Sequence, residues 1–173
     1  LFDTDTFSSL GTYRWDANNG WIRVKPLGAC GSDTTYNYGV SNSGAVYGLA
    51  YTTNDCRNFQ TFRWTPSTGT LLLPSATTKP DGSPGNGRPN QISGDGSTIV
   101  GWEEDETGSR IGVVWRNGVP SVVRNEKGEP TSEAFTTSSN GQTIGGGLFL
   151  DQQPAGNGWR RRVDSSQLEY FAP

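Results

Sequence analysis

The chain has 173 residues, enough for one domain with a sizeable core or for part of a larger one. Its 14 basic and 17 acidic residues leave a net charge of -3, without the positive surface that nucleic acid or an anionic membrane calls for. Histidine is absent, which excludes Ser-His-Asp and Cys-His catalysis, His-ligated metals and His-ligated haem.

Gly (24) and Pro (10) make up about a fifth of the residues, mixed with Thr, Ser, Val, Trp and Tyr, the composition of short strands joined by tight turns. No window sustains an apolar period of 3.6, so the expected class is all-β. Methionine is missing even at position 1, and no apolar run is long enough for a signal peptide or a membrane span. The expectation is a processed product that has lost whatever preceded Leu1.

Tryptophan marks a repeat along the chain. YRW ends at Trp15, FRW at Trp64, VVW at Trp115 and NGW at Trp159, at spacings of 49, 51 and 44. A second marker keeps the same beat: VSNSGAVYG from Val40, ISGDGSTIVG from Ile92 and TSSNGQTIGG from Thr137 place Gly44, Gly96 and Gly141 at intervals of 52 and 45. Two markers in register indicate duplication.

In chain order the units are a partial one at 1–29, then 30–75, 76–125 and 126–173. The partial unit opens on Leu1 and Phe2, which align with Leu148 and Phe149 in the second strand of the last unit, so its first strand is missing. Cys30 and Cys56 lie 26 positions apart without zinc-site spacing. They are read as one disulfide formed in an oxidising compartment, the alternative being two separate buried thiols. Unit 76–125 parses into strands at 90–93, 97–102, 112–115 and 120–123. Asp95-Gly96 is a type I′ hairpin signal, repeated by Asn140-Gly141 and more weakly by Ser43-Gly44, while Asn117-Gly118 turns the third strand into the fourth. The stretch 81–87, DGSPGNG, reads as a flexible connection.

Four-stranded units of this length are the mark of propeller blades, so the expected architecture is a β-propeller-like array of about three and a half blades, part of a larger propeller. The repeated tryptophans would fill the space between blades. Trp21 and Trp102 fall outside the repeat and are the better candidates for exposed aromatics. The open edge of the partial unit would need a cover. An amino-terminal fragment of the same precursor, a second copy, or the tail 167–171 folding back could each supply it.

The pattern of IS.DGSTIVGW, a loop, FRW or VVW, a glycine turn and a short apolar strand resembles the HAF family of extracellular repeats, over about 40–171. The aromatic-Arg-Trp element stands intact at Tyr13, Arg14, Trp15 and at Phe62, Arg63, Trp64. It is altered at Val113, Val114, Trp115 and at Asn157, Gly158, Trp159, so the last two units are divergent. The resemblance implies a propeller-like fold in a secreted or surface-attached bacterial protein, and it brings no catalytic motif.

In an up-and-down blade, the second-to-third-strand loops and the connections between blades emerge on one face. The long loops at 28–36, 52–59, 75–88 and 103–110 are all of this kind, which points to a binding surface on a rigid scaffold. Tyr36, Asn37, Arg88, Asn90 and Glu133, at the starts of first strands, would border the central channel there, for ligand contact or for hydrogen bonds between blades. Trp102, Glu103 and Glu104 complete the candidate set. With Asp105 and Glu106 the two glutamates form an acidic run on a loop, read as a solvated tip or, in a glycosidase, as a source of catalytic carboxylates. Asp3 and Asp5 lack a calcium-loop pattern, and no metal or cofactor is expected. Arg160, Arg161 and Arg162 would split between strand faces as surface ion pairs, and Arg14 and Arg63 would stack or pair between blades.

The resulting expectation is a non-catalytic extracellular module for binding or adhesion to a glycan, a protein or its own companion fragment. The alternative is part of a secreted carbohydrate-active or other hydrolytic enzyme.

Overall fold

The computed structural model describes residues 2–3, 8–9, 11–25, 27, 30, 35–147 and 158–171. Among them no helix occurs. The strands are β1 (Phe2–Asp3), β2 (Ser8–Ser9), β3 (Thr12–Asp16), β4 (Gly20–Val24), β5 (Thr35–Val40), β6 (Val46–Tyr51), β7 (Phe59–Thr65), β8 (Gly69–Leu72), β9 (Gly87–Ile92), β10 (Thr98–Glu104), β11 (Arg110–Arg116), β12 (Val119–Val122), β13 (Ala134–Thr137), β14 (Thr143–Gly147), β15 (Gly158–Arg162) and β16 (Glu169–Tyr170). Three four-stranded antiparallel meanders, β5 to β8, β9 to β12 and β13 to β16, follow two hairpins, β1-β2 and β3-β4.

Each meander opens with the same hairpin, and its hydrogen bonds explain the repeated motif. The hydroxyls of Ser41, Ser93 and Ser138 accept the amides of Ala45 at 3.1 Å, Thr98 at 3.0 Å and Thr143 at 3.0 Å. The residue two further on closes the loop. Ser93 Oγ donates to Asp95 Oδ1 at 2.5 Å, Ser138 Oγ donates to Asn140 Oδ1 at 2.8 Å, and the Ser41 and Ser43 hydroxyls meet at 2.8 Å. The left-handed position falls on Gly44, Gly96 and Gly141 alone, with φ of 80°, 77° and 66°. The expected type I′ turns therefore do not form at these places: side-chain bonds hold Ser43, Asp95 and Asn140 at ordinary negative φ. The positive-φ pair sits instead at Asn117 and Gly118, φ 50° and 82°, between β11 and β12.

The glycine that closes each motif has a separate task. A Cβ on Gly48, Gly101 or Gly146 would lie 1.9, 2.1 or 2.4 Å from the carbonyl oxygen of Tyr36, Arg88 or Glu133. There the first strand of each sheet carries one unpaired residue, Tyr38, Asn90 or Phe135, so a bulge presses the backbone against its neighbour.

Successive sheets stack face to face. Trp115 packs with Ala45, Tyr47 and Leu73 of the sheet before it, Trp159 with Val100, Val114 and Val123, and Trp64 with Val24 and Ile22 of the β3-β4 hairpin. These three tryptophans fill the space between sheets as expected. Trp15 does not: it has the same pairing as Trp64 toward the next strand, yet it is 57% exposed against 4%. The difference is positional: Trp15 and its cross-strand neighbour Trp21 lie on the face of β3-β4 turned away from Trp64, and both are exposed.

Trp159 also departs from the repeat. Val46 and Ile99 pair with Trp64 and Trp115, whereas Ile144 pairs with Arg161, so Trp159 stands two residues earlier on the same face. Gly146 makes that room, since a Cβ there would meet the Trp159 ring at 2.6 Å. Arg160 and Arg162 pair with Glu169 and Asp164, as surface ion pairs should, and Arg161 donates to the Arg124 carbonyl at 3.3 Å. Arg14 pairs with Asp16 at 3.1 Å and lies against Gly44 of the next sheet, where a Cβ would come within 2.7 Å of its guanidinium.

Other expectations change. Phe2 belongs to β1, which pairs with β2 and not with the Trp15 strand, while Leu1, Leu148, Phe149 and Asp5 lie outside the described residues. The tail does not fold back to the first unit: Glu169–Tyr170 is β16, paired with β15. The stretch 81–87 is ordered, because Thr78 bridges Pro84, Lys79 N donates to Ser83 O at 2.8 Å, and Asn86 and Gly87 are buried. Cys30 and Cys56 form a disulfide with Cα atoms 4.9 Å apart, fastening the connection before β5 to the loop between β6 and β7. A disulfide accords with an oxidising compartment.

Aspartates cap many of these turns, and this sets a pH dependence. Hydrogen bonds hold the carboxyls of Asp16, Asp55, Asp81 and Asp95 below the usual 3.8, the leading donors being the Asn19 amide, the Thr53 hydroxyl, the Ser83 hydroxyl and the Ser93 hydroxyl. A depressed folded-state pKa contributes stability above the unfolded value that is lost as pH falls through the folded one. The melting temperature is therefore expected to fall as pH drops below 3.8. Asp95→Asn should soften that acid limb while keeping the turn, because Asn140 already supports the same geometry. Melting curves between pH 7 and pH 2 test this, and an acid limb unchanged by the substitution would contradict it.

Candidate functional site

The starts of β5, β9 and β11, the ends of β6 and β10 and the connections 73–86 and 124–133 share one end of the sheets. An aromatic series crosses this end from sheet to sheet. Tyr36 meets Tyr51 at 6.3 Å between ring centroids, Tyr51 meets Phe59 at 6.2 Å, and Phe59 meets Trp102 at 6.1 Å, each edge to face.

Two guanidinium groups cap the series. Arg110 lies 4.3 Å from the Trp102 ring centroid, and Arg88 lies 5.6 Å from Trp102 and 5.3 Å from Tyr38. Glu133 holds both arginines, at 3.3 Å from Arg110 and 3.9 Å from Arg88. Asn90, the bulged residue of β9, donates to the Ala134 carbonyl at 2.9 Å and to Glu133 at 3.4 Å. The bulge thus re-aims Asn90 toward the next sheet while Arg88, beyond it, faces the aromatics.

Of the sequence candidates, Arg88, Asn90, Trp102 and Glu133 come together here. Tyr36 stands at the outer end of the series, and Asn37 beside it is exposed. Trp102 is not the exposed aromatic expected of it: it is 2% exposed, covered by Phe59 and the two arginines. Trp21 is exposed as expected, on the far side of the β3-β4 hairpin. Among the described residues, Trp102 Nε1 and Arg88 Nε have no hydrogen-bond partner.

The acidic run divides. Glu103 and Glu104 end β10 and are not on a loop, and Glu103 is 3% exposed rather than a solvated tip. Its Oε2 accepts from Ser75 Oγ at 2.8 Å, Ala76 N at 2.8 Å, Thr77 N at 3.0 Å and Thr77 Oγ1 at 3.1 Å. This carboxylate anchors the connection from β8 to β9, and burial pushes its pKa up against those bonds. Glu104 accepts from Asn86 Nδ2 at 3.0 Å, and Asn86 also receives Phe59 N and Lys79 Nζ. Asp105 caps the loop through the Thr107 and Ser109 amides.

Sequence reasoning missed Tyr38, Tyr51, Phe59 and Arg110. Only position relative to the strand ends could have found them, since they share no motif. The arrangement offers the exposed rings of Tyr36 and Tyr38 with the exposed Arg110 guanidinium at the rim, and its carboxylates are engaged by the protein itself. Compared with protein-family models, curated proteins and solved structures, the chain matches none of them.

Proposed function

We propose that this chain is a non-catalytic extracellular module of β-propeller type that binds or adheres through its long-loop end, with a glycan as the ligand. The observation that carries the reading is the series from Tyr36 to Trp102 with Arg88 and Arg110 across it. Aromatic faces take the apolar sides of sugar rings, and a guanidinium takes a sugar carboxylate or sulfate in bidentate fashion. Face-to-face sheets, with Trp64, Trp115 and Trp159 filling the space between them, support the propeller reading and the resemblance to HAF repeats. The disulfide supports a secreted or surface location. The hydrolase alternative is weaker because Glu103 and Glu104, its candidate carboxylates, are used to hold connections in place.

Titration against acidic and neutral oligosaccharides tests the proposal. Arg110→Ala and Tyr36→Ala should each weaken binding of the acidic ligand about tenfold, the loss of one charge-assisted or stacking contact. Melting temperature should hardly move, since both side chains reach solvent. Equal losses from Asn140→Ala, at the opposite end, would place binding elsewhere.

A further inference from the structure

We infer that the cleft between the sheets β5 to β8 and β9 to β12 binds a small aromatic carboxylate, whose acid group pairs with Arg63. The repeat itself shows what this arginine lacks. Arg14 and Arg63 hold equivalent places, paired across their hairpins with Ile22 and Leu71. Each faces the sheet that follows, since Ile22 packs with Trp64, and Tyr47, the other neighbour of Arg63, packs with Trp115. Arg14 pairs with Asp16 at 3.1 Å, whereas the residue two beyond Arg63 is Thr65. Asp16 and Thr65 cap their turns alike, Asp16 Oδ1 accepting from Asn19 N at 2.8 Å and Thr65 Oγ1 from Thr68 N at 3.1 Å. The second turn keeps the acceptor and lacks the charge. Among the described residues the Arg63 side chain makes no ion pair or hydrogen bond, and its Nε is buried without a partner. A guanidinium stays charged at any ordinary pH, and drawing it away from water without a counterion is costly.

The space beside Arg63 fits such a ligand. A cavity of about 370 Å³ is lined there by Arg63, Leu71, Leu73, Ile99 and Trp115, among others, a size that suits a small molecule. Leu73, Ile99 and Trp115 are buried and supply an apolar wall. Trp115 Nε1 already donates to the Pro74 carbonyl at 2.8 Å, so its ring offers the cavity apolar surface alone. At the preceding junction the arginine closes against the turn glycine. A Cβ on Gly44 would come within 2.7 Å of the Arg14 guanidinium, whereas the atoms nearest a Cβ on Gly96 belong to Ser43 and Ser41 and none to Arg63. The cavity thus sets an uncompensated positive charge beside an apolar wall. A molecule with an anionic group on a flat apolar body satisfies both, and a neutral or a purely ionic one satisfies only half.

Calorimetric titration with 2-naphthoate and with its uncharged amide, 2-naphthamide, tests the inference. It is independent of the glycan reading, because the cavity adjoins the short turns at 94–97 and 117–118, away from the aromatic series. The acid should bind about tenfold or more tightly than the amide, the contribution of one charge-assisted pair. Arg63→Met should remove that preference. Thr65→Asp should give Arg63 the internal partner that Arg14 has, and weaken naphthoate about tenfold while the melting temperature holds or rises. This second variant separates loss of the site from loss of the fold. Arg110→Ala, at the long-loop end, should leave naphthoate binding unchanged. Absence of naphthoate binding, equal affinity for the amide, undiminished binding by Thr65→Asp, or a loss confined to Arg110→Ala would each overturn the inference.

Discussion

Gly101→Ala is expected to lower stability by about 3 kcal/mol or more, a fall of roughly 10 °C in melting temperature. The added methyl would sit 2.1 Å from the Arg88 carbonyl oxygen and 2.8 Å from Pro89 Cα, both backbone atoms that no rotamer change can move aside. Gly101 is not at positive φ, so the whole effect is steric. Gly108→Ala is the matched control. Its φ is +80° with nothing within 4 Å of the new Cβ, and it should show only the left-handed backbone penalty of about 1 kcal/mol. Thermal unfolding of the two variants compares them directly, and equal losses would mean that the bulge does not press on the glycine as described. Gly101→Ala should also disturb Arg88, whose carbonyl must move, and so weaken the aromatic end along with the fold.

The next largest effect separates two tryptophans that the sequence presents as equals. Trp64→Ala should cost about 3 to 5 kcal/mol, the range for emptying a buried aromatic site. Trp15→Ala, measured in dilute solution, should stay within about 0.5 kcal/mol, as exposed substitutions do. Chemical denaturation reads both. A loss at Trp15 matching that at Trp64 would show that its face is covered within the single chain.

The contrast also shows what could be read from the chain and what could not. Duplication, strand count and the three inter-sheet tryptophans were legible because glycine, tryptophan and turn residues recur at fixed spacing. The turn type at Asp95 was misread because a dipeptide rule ignores the neighbouring Ser93 hydroxyl, which bonds the carboxylate and fixes the backbone. Trp159 was misplaced because spacing alone cannot see a two-residue shift that Gly146 makes possible. Glu103 read as a loop acid because four acids in a row look solvated, and only the folded connection at Ser75 and Thr77 reveals the donors that bury it. Trp102 was read as exposed because it falls outside the repeated tryptophan position, and the sequence does not show that Phe59, Arg88 and Arg110 converge to cover it.

One joint between sheets is made chiefly by the backbone. Asn42 N donates to the Gly94 carbonyl at 2.9 Å, and Asp95 N donates to the Ser139 carbonyl at 3.2 Å, so main-chain bonds fasten the opening turn of each meander to the next, with Thr98 Oγ1 adding a bond to the Gly141 carbonyl at 3.3 Å. The residues around these bonds differ from unit to unit, being Asn-Ser, Gly-Asp and Ser-Asn. A gene segment copied in tandem would carry both halves of this fastening with it, ready to engage on either side before any residue had adapted. Lengthening or shortening the array by whole units is thus open to simple genetic events, while the loops at the other end remain free to diverge.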